Sequence, residues 1–253
     1  AINAPRELLP LVEATNGVMA RLDHLLAHQK RFVRDASHQL RTPLAVLKTQ
    51  VQSALRGDAE PLQALQEISQ TVERATVLAN QMLALAKVEQ LRQQQDSDVL
   101  DLDEAVRAVA LDLSPLIAGK DIDFTIETVP ARGRAHPWML QELTRNLIHN
   151  AIKHTPHGGT LAVHVRADAR AVALTVSDSG PGVSSELAAR LFQPFSAGDL
   201  RHGSGLGLAI CHEIAEALGG SISLDNRIDR GRTVGLDATA RLPLVLAAGH
   251  NPS

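Results

Sequence analysis

Apolar residues recur every three or four positions through the start of the chain, which predicts one long helix. From residue 7 to about residue 56 the seam is close to a heptad repeat rather than a broad globular stripe. Its members are Val18, Leu22, Leu25, Phe32, Ala36, Leu40, Leu44, Leu47, Val51 and Ala54. The stretch RGDAEP then ends the pattern, because Gly57 can terminate a helix and Pro61 is tolerated in the first turn of the next.

A second amphipathic helix follows this break. Its apolar face is formed by Leu62, Leu65, Ile68, Val72, Ala75, Ala79, Met82 and Ala86. Two long helices with a short connection form an antiparallel hairpin, and a hairpin alone leaves one apolar face of each helix uncovered. We expect a second copy of the chain to cover it, so that a homodimer forms a four-helix bundle.

The pattern changes after the polar run LRQQQDSDVL at residues 91–100, which predicts a linker. Beyond it, strands are predicted in IDFTIE, GGTLAVHVR, AVALTVSD, GSISLDN and TVGLDATARL. Helices are predicted in LDEAVRAVALDLSPL, over residues 138–154, in SSELAARLF and in GLAICHEIAEAL. The expected fold class is therefore a multidomain α and α/β chain, a helical hairpin followed by an α/β sandwich.

Composition narrows the possible functions. The chain is 44% hydrophobic but only 2% aromatic, so we expect an aliphatic core, and the net charge of -3 argues against a nucleic-acid partner. No run approaches the roughly twenty apolar residues that span a bilayer, and AINAPRELLP lacks the signal-peptide pattern. Cys211 is the only cysteine, which suits a reducing compartment. Because the chain begins without methionine, we expect it to be the soluble part of a longer protein.

Three short motifs carry candidate chemistry. DSGPG, residues 178–182, follows a predicted strand, and a tight turn without any binding function would also explain its glycines and proline. GSGLGLAI, residues 203–210, places glycines at the start of a helix, where backbone N–H groups can bind phosphate. In NLIHNAIKH, residues 146–154, two asparagines and a lysine share one helix face. Amide oxygens suit Mg²⁺ and lysine suits phosphate, although incidental surface amides would give the same pattern.

Taken in chain order, NLIHNAIKH, DSGPG, LFQPF and GSGLGL resemble the N, G1, F and G2 boxes of the histidine-kinase ATP-binding domain. That domain belongs to an ATPase superfamily shared with type II topoisomerases, mismatch-repair proteins and heat-shock chaperones. With SHQLRTP upstream, the whole chain resembles the cytoplasmic core of a bacterial sensor histidine kinase with the H-Q-L-R-T-P order. The resemblance implies a Bergerat-type sandwich and a full-length protein anchored in the inner membrane.

The same resemblance implies a domain order. We expect a signalling helix at residues 1–30, a dimerisation and histidine phosphotransfer domain at 31–95, a catalytic ATP-binding domain at 96–246 and a tail at 247–253.

Roles in nucleotide binding follow from the resemblance, residue by residue. Asp178 is expected to accept a hydrogen bond from the exocyclic amine of adenine, which would select ATP over GTP. Asn150 is the expected Mg²⁺ ligand, with Asn146 one turn before it, and Lys153 and His154 are expected to contact phosphates. Backbone approach to the nucleotide is implied for Gly180, Gly182, Gly203, Ser204, Gly205, Leu206, Gly207 and Leu208. Residues 193–203 are expected to form a lid over the site.

His38 is the phospho-acceptor by the same resemblance, and an aspartate on a response-regulator receiver domain is the expected next acceptor. A neutral imidazole offers a nitrogen lone pair, so His38 must be exposed to reach ATP. The family usually has an acidic residue after the histidine, whereas this chain has Gln39, which can orient the ring but cannot take a proton. Thr42 matches the position that aligns water for dephosphorylation of the regulator, or is a plain surface threonine. Pro43 is expected to bend the helix.

Two other functions remain open from the sequence. Hydrolysing relatives carry a glutamate at the position of Asn146, and an amide cannot activate water in that way, which favours a kinase over an ATPase. A dimeric scaffold with an inactive nucleotide domain is the third possibility, and Gln39 is the best argument for it.

Overall fold

A computed structural model describes residues 9–94, 97–169, 171–188, 190–194 and 205–244 of the chain. The chain divides into two compact units, Ala1–Ala79 and Asn80–Ser253. The first unit contains the phospho-acceptor motif and the second contains the three nucleotide-binding motifs, so each unit is described separately.

Two helices, α1 at Leu9–Arg56 and α2 at Pro61–Gln94, account for the predicted hairpin. The break between them lies where the sequence predicted it. Gly57 adopts a positive φ of 75° and donates its N–H to the carbonyl of Ala54 at 3.1 Å. A left-handed conformation of this kind favours glycine, which ends α1 without steric cost.

The inner face of the hairpin follows a heptad spacing. On α1 the half-buried residues that follow this spacing are Ala36, Leu40, Pro43, Leu47, Gln50 and Ala54. On α2 the buried residues Ala64, Thr71 and Leu78 are seven positions apart. The sequence had assigned Leu44 and Val51 to the same seam, but both are exposed, Leu44 at 58%. They belong to a second, outward apolar face, because residues one position apart on a helix point about 100° apart.

The predicted linker at residues 91–100 is shorter in the structure. The helix α2 continues to Gln94, and strand β1 begins at Asp98. Leu91 is buried, so the helix still has an apolar face to cover, and the arginine and glutamines after it are good helix formers.

The second unit is the expected α/β sandwich. Its elements after α2 are β1 Asp98–Asp101, α3 Leu102–Asp112, α4 Ser114–Gly119, β2 Asp123–Thr128, β3 Arg132–Ala135, α5 Pro137–His154, β4 Thr160–Ala167, β5 Ala171–Asp178, α6 Ser185–Ala188, α7 Gly207–Ala217, β6 Ser221–Asp229 and β7 Arg232–Pro243. Five strands form a sheet in the order β2-β4-β5-β7-β6, in which β2 and β4 are parallel and the other neighbours antiparallel. A separate pair, β1 and β3, was not predicted, and α6 is shorter than the predicted helix SSELAARLF.

Helices α5 and α7 pack against each other and against the sheet, and α3 packs against α5. The alternation of the strands fits one covered face, since Leu161, Val163 and Val165 of β4 are almost completely buried while the residues between them are only half-buried. Leu143 and Leu147 of α5 are also buried. Each such side chain contributes about 1.5–3 kcal/mol by leaving water. The helix that carries NLIHNAIKH is therefore anchored along its length.

Within the described parts of the chain, we find no helix that combines the length and the apolar character needed to cross a membrane.

Candidate functional site

The carboxyl end of α5 is held by a lysine from outside the helix. Lys120 Nζ donates to the carbonyl oxygens of Ile152 at 2.8 Å, Lys153 at 3.0 Å and Thr155 at 2.9 Å. These carbonyls have no partner inside the helix, and a cation is favoured at this end of the helix dipole. The contact fixes the last turn, which presents Lys153 and His154.

The two asparagines of α5 face the first residue of α7. A Cβ atom at Gly207 would lie 3.1 Å from Asn146 Oδ1 and 3.5 Å from Asn150 Nδ2. Glycine therefore leaves open the space between the amides and the helix N-terminus. The structure therefore brings residues of the predicted N and G2 boxes together, with both amide side chains beside the N-terminus of α7, where backbone N–H groups can bind anions.

Asn146 is oriented by Glu142, a residue that the sequence analysis did not identify. The Asn146 amide nitrogen donates to the Glu142 carbonyl at 2.9 Å and to its carboxylate Oε1 at 2.8 Å. These two bonds assign the amide nitrogen and leave Oδ1 facing Gly207. The available signal was the carboxylate four positions earlier on the same helix face.

Burial and neighbouring charges lower the pKa of two basic groups on α5. Partial burial lowers the pKa of Lys153. Burial also lowers the pKa of His149, and the positive charges of Lys153 and Arg145 lower it further. Lys153 is exposed at the last turn of α5, so its ammonium can attract an arriving anion.

Asp178, the last residue of β5, is 5% exposed. Its Oδ1 accepts the Gly180 N–H at 2.7 Å. Burial raises the pKa of Asp178, while the Gly180 N–H and the positive charge of Arg227 act in the opposite direction. The result is an enclosed carboxylate at the end of β5, the central strand of the sheet, where the chain enters the rest of DSGPG.

The glycines of this loop are required by close contacts. A Cβ at Gly180 would lie 2.8 Å from the carbonyl oxygen of His154, so the loop passes directly beside the end of α5. Gly182 adopts a positive φ of 72°, and a Cβ there would collide with Asn226 and Thr233. The N and G1 boxes are therefore neighbours, as the predicted site requires.

The start of α7 is described from Gly205 onward. Gly205 has a positive φ of 68°, Leu206 is fully buried and caps the helix, and Leu208 is half-buried in its first turn. Gly203, Ser204 and most of the predicted lid at residues 193–203 lie outside the described residues. The ring centroid of Phe192, before the lid, lies 5.5 Å from the ring centroid of His212 on α7.

His38 is exposed on α1, as the sequence predicted, and so is Thr42 one turn later. Gln39 between them is half-buried. Asp35, on the turn before His38, is paired with Arg34 at 3.2 Å. The helix α1 continues past Pro43, which lies on its half-buried inner face.

The donor set fits Mg²⁺ bound together with phosphates. Among the described residues, no group of three or more His, Cys, Asp or Glu side chains could hold a metal ion. Magnesium usually keeps several waters and takes only one or two protein ligands when phosphates supply the rest. The amides of Asn146 and Asn150, beside the space that Gly207 leaves open, match that mode of binding.

Family comparisons match both units of the chain. Residues 28–91 match the His Kinase A (phospho-acceptor) domain, and residues 135–245 match the Histidine kinase-, DNA gyrase B-, and HSP90-like ATPase family. The chain belongs to the sensor histidine kinases.

Sensor histidine kinases among the curated proteins align with nearly the whole chain. The chain is 33% identical over 233 residues to sensor protein QseC of Escherichia coli K12, and the alignment covers 89% of this chain and 51% of QseC. It is 34% identical over 246 residues to sensor protein kinase PmrB of Pseudomonas aeruginosa PAO1, covering 94% of this chain and 50% of PmrB. The chain thus spans about half the length of these relatives.

A solved histidine kinase shares the fold. ThkA, in a crystal structure with the response regulator protein TrrA, superposes with a TM-score of 0.68 at 23% identity, covering 96% of this chain and 68% of that chain. The predicted architecture, a helical hairpin followed by a Bergerat-type ATP-binding fold, is confirmed.

Proposed function

We propose that this chain phosphorylates its own His38 from ATP with Mg²⁺ and passes the phosphoryl group to an aspartate of a response-regulator receiver domain. The observation that carries the proposal is that Asn146 and Asn150 face the N-terminus of α7, while a histidine of the phospho-acceptor motif is exposed on α1. A nucleotide site and an accessible nucleophile are the two parts that phosphoryl transfer needs, since the reaction depends mainly on positioning and charge neutralisation.

Residues of the second unit are assigned to ATP as follows. The enclosed carboxylate of Asp178 accepts a hydrogen bond from the 6-amino group of adenine, and Lys153 binds phosphate oxygens. Asn150 holds Mg²⁺ through its amide oxygen, with Asn146 beside it. When bound, Mg²⁺ would neutralise charge on the phosphate oxygens. Gly205, Leu206, Gly207 and Leu208 bring backbone N–H groups to the phosphates.

The kinase assignment is favoured over ATP hydrolysis by the amide at residue 146. An amide cannot accept a proton from water, and the adjacent carboxylate of Glu142 is already bonded to the Asn146 nitrogen. Water attack on the γ-phosphate is therefore slow, and the phosphoryl group remains available for His38.

A homodimer is supported by the outward face of the hairpin. Leu44, Leu55, Leu62, Leu65 and Val72 are exposed large apolar residues of the first unit. Several exposed large apolar residues on one pair of helices are typical of an interaction site. A second copy would cover it by forming a four-helix bundle.

The wider organisation follows from the family. We infer the domain order given by the sequence, with residues 1–30 as a signalling helix, 31–95 for dimerisation and phosphotransfer, and 96–246 for catalysis. The matched segments 28–91 and 135–245 support this division. The relatives are sensors about twice as long, which supports a membrane-anchored full-length protein whose kinase core is cytoplasmic. The ThkA–TrrA complex supports a receiver domain as partner, and exposed Thr42 is assigned to dephosphorylation of that partner.

Incubation with γ-labelled ATP and Mg²⁺ tests the assignment. We expect acid-labile, alkali-stable label on the protein, lost completely in His38→Ala and retained in His28→Ala, a matched histidine ten positions earlier on α1. The affinity of His38→Ala for ADP should equal that of the unmodified chain. Free phosphate without protein label would instead identify an ATPase. If neither labelled protein nor free phosphate forms, the chain is a scaffold.

A further inference from the structure

Asn226 on β6 holds the far end of the DSGPG loop by two reciprocal hydrogen bonds. We call residues 178–183 the G1 loop. The Asn226 Nδ2 donates to the carbonyl of Val183 at 2.6 Å, and Asn226 Oδ1 accepts the Val183 N–H at 2.9 Å. Both backbone groups of Val183 are thus satisfied by one side chain that lies 43 residues later in the chain.

Arg227, the next residue on β6, holds the near end of the same loop. Its guanidinium donates to the backbone carbonyl of Asp178 and lies 3.3 Å from Asp237 Oδ1 on β7. In the register of β6 and β7, Arg227 is opposite Gly235. A Cβ at Gly235 would collide with the Asp178 carbonyl and with the Arg227 guanidinium. The absence of a side chain there lets the guanidinium pass over β7 to reach β5.

The carboxylate of Asp178, the first residue of the loop, accepts backbone hydrogen bonds from Gly180 in the loop and from Leu236 on β7. Asp178 Oδ1 accepts the Gly180 N–H, so a shift of the Gly180 backbone would move the carboxylate. Gly182 provides no stiffness of its own, because glycine has the widest conformational freedom. The loop is therefore oriented from outside, at Asp178 by Arg227 and at Val183 by Asn226.

We propose that Asn226 and Arg227 are positioning residues that set the adenine selectivity of the nucleotide site by fixing both ends of the G1 loop. The inference rests on the proposed function, in which Asp178 accepts a hydrogen bond from the adenine 6-amino group. A hydrogen bond to a charged acceptor discriminates strongly only while its geometry is held, so a loosened loop loses selectivity before it loses nucleotide binding.

Calorimetric titration of the full chain with two diphosphates tests the proposal without turnover. ADP carries the 6-amino group, and purine riboside 5′-diphosphate lacks it. For the unmodified chain we expect ADP to bind more tightly, by about tenfold or more, as a lost bond to a charged group predicts. Asn226→Ala and Arg227→Lys should reduce this ratio to about threefold or less while purine riboside diphosphate keeps its affinity.

Two further variants separate positioning from stability. Asn226→Asp keeps an acceptor for the Val183 N–H but loses the donor to its carbonyl, and we expect an intermediate ratio. Ser223→Ala removes a side-chain hydrogen bond to Asp225 on the same strand, outside the G1 loop, and should leave the ratio unchanged.

Each other outcome contradicts the proposal in a recognisable way. Equal losses of affinity for both diphosphates in Asn226→Ala and Arg227→Lys would identify a purely structural role. Unchanged ratios in these variants would overturn the inference while leaving the adenine assignment of Asp178 intact. No discrimination by the unmodified chain would overturn both, whereas the His38 labelling result would still stand or fall separately.

Discussion

The two units of this histidine kinase differ in how completely their apolar side chains are buried. In the second unit, Leu143 and Leu147 are buried between a helix and a sheet of the same chain. In the first unit, Leu62 is 65% and Leu65 64% exposed, although both belong to the predicted apolar face of α2. The ATP-binding unit buries its apolar core within one chain. The hairpin leaves large apolar side chains exposed, and these would need a second surface to cover them. Stability of the first unit should therefore depend on protein concentration, and stability of the second should not.

The largest effect is expected from substitution of Asn150. This substitution should affect catalysis in the second unit and leave dimerisation through the first unit unchanged. Asn150→Ala removes the assigned Mg²⁺ ligand, and we expect autophosphorylation to fall on the order of 100-fold. The increase in ADP affinity on adding Mg²⁺ should also disappear, which calorimetry measures without turnover. Asn150→Asp, which keeps an oxygen ligand, should retain part of this Mg²⁺ dependence. Loss of dimerisation in Asn150→Ala, seen by sedimentation, would contradict the separation of the two units.

Leu65→Glu tests the other side of the comparison. A charge at the proposed four-helix interface should raise the dimer dissociation constant by about 30-fold, or about 2 kcal/mol. The matched variant Leu111→Glu changes a 73% exposed leucine of α3 and should leave dimerisation unchanged. Analytical ultracentrifugation measures both. Equal effects of the two substitutions would mean that the outward face of the hairpin has no special role.

Sequence patterns predicted the architecture where the pattern itself determines burial. The hairpin and α5 follow from helical periodicity and the break from Gly57 and Pro61, and all three are confirmed. Strand β3 has the sequence RGRA, which lacks any apolar alternation, and its pairing with β1 could not be seen. Leu44 was assigned to the same seam as Leu40 and Leu47 because apolar spacing alone does not separate two adjacent apolar faces of one helix.

Motifs revealed the residues assigned to the chemistry but not those that hold them. His38, Asn150 and Asp178 belong to recognisable local strings. Arg227 reaches the Asp178 carbonyl from 49 residues away, and no local spacing encodes a contact across two strands. Glu142 was accessible in principle, since it is one turn from Asn146, yet an i, i+4 carboxylate is common on helix surfaces.

Asp178→Asn should stabilise the second unit while weakening ATP binding. Burial raises the folded-state pKa of Asp178. The folded unit then binds the proton more tightly than the unfolded chain, and this stabilisation is complete below the unfolded pKa and lost as pH rises through the folded pKa. We expect Asp178→Asn to gain on the order of 1 kcal/mol in denaturant unfolding near pH 7, with the gain shrinking towards about pH 4.

A constant difference between Asp178→Asn and the unmodified chain across this range would show that the ionised carboxylate is not the source of the effect. The transition of the first unit, followed at several protein concentrations, should be the same in both proteins. An identical transition of the first unit in both proteins would show that a buried charge lowers the stability of the second unit only, whereas the stability of the first unit depends on dimerisation.

The smallest effect is expected at Gln39. Gln39→Glu adds a carboxylate beside His38 that can accept its proton, and we expect the initial rate of autophosphorylation to rise by about threefold near neutral pH. The gain is modest because phosphoryl transfer depends mainly on positioning. Nucleotide affinity should not change. An unchanged or lower rate would contradict the view that Gln39 only orients the imidazole.

Lys120 has a consequence for engineering this chain. Its ammonium bonds the last carbonyls of α5, and its own carbonyl accepts the Gly158 N–H at 3.0 Å, so a surface turn sets the axial position of the helix that carries both asparagines. An insertion beside Lys120 would be transmitted to the nucleotide site even though the turn is far from it in sequence.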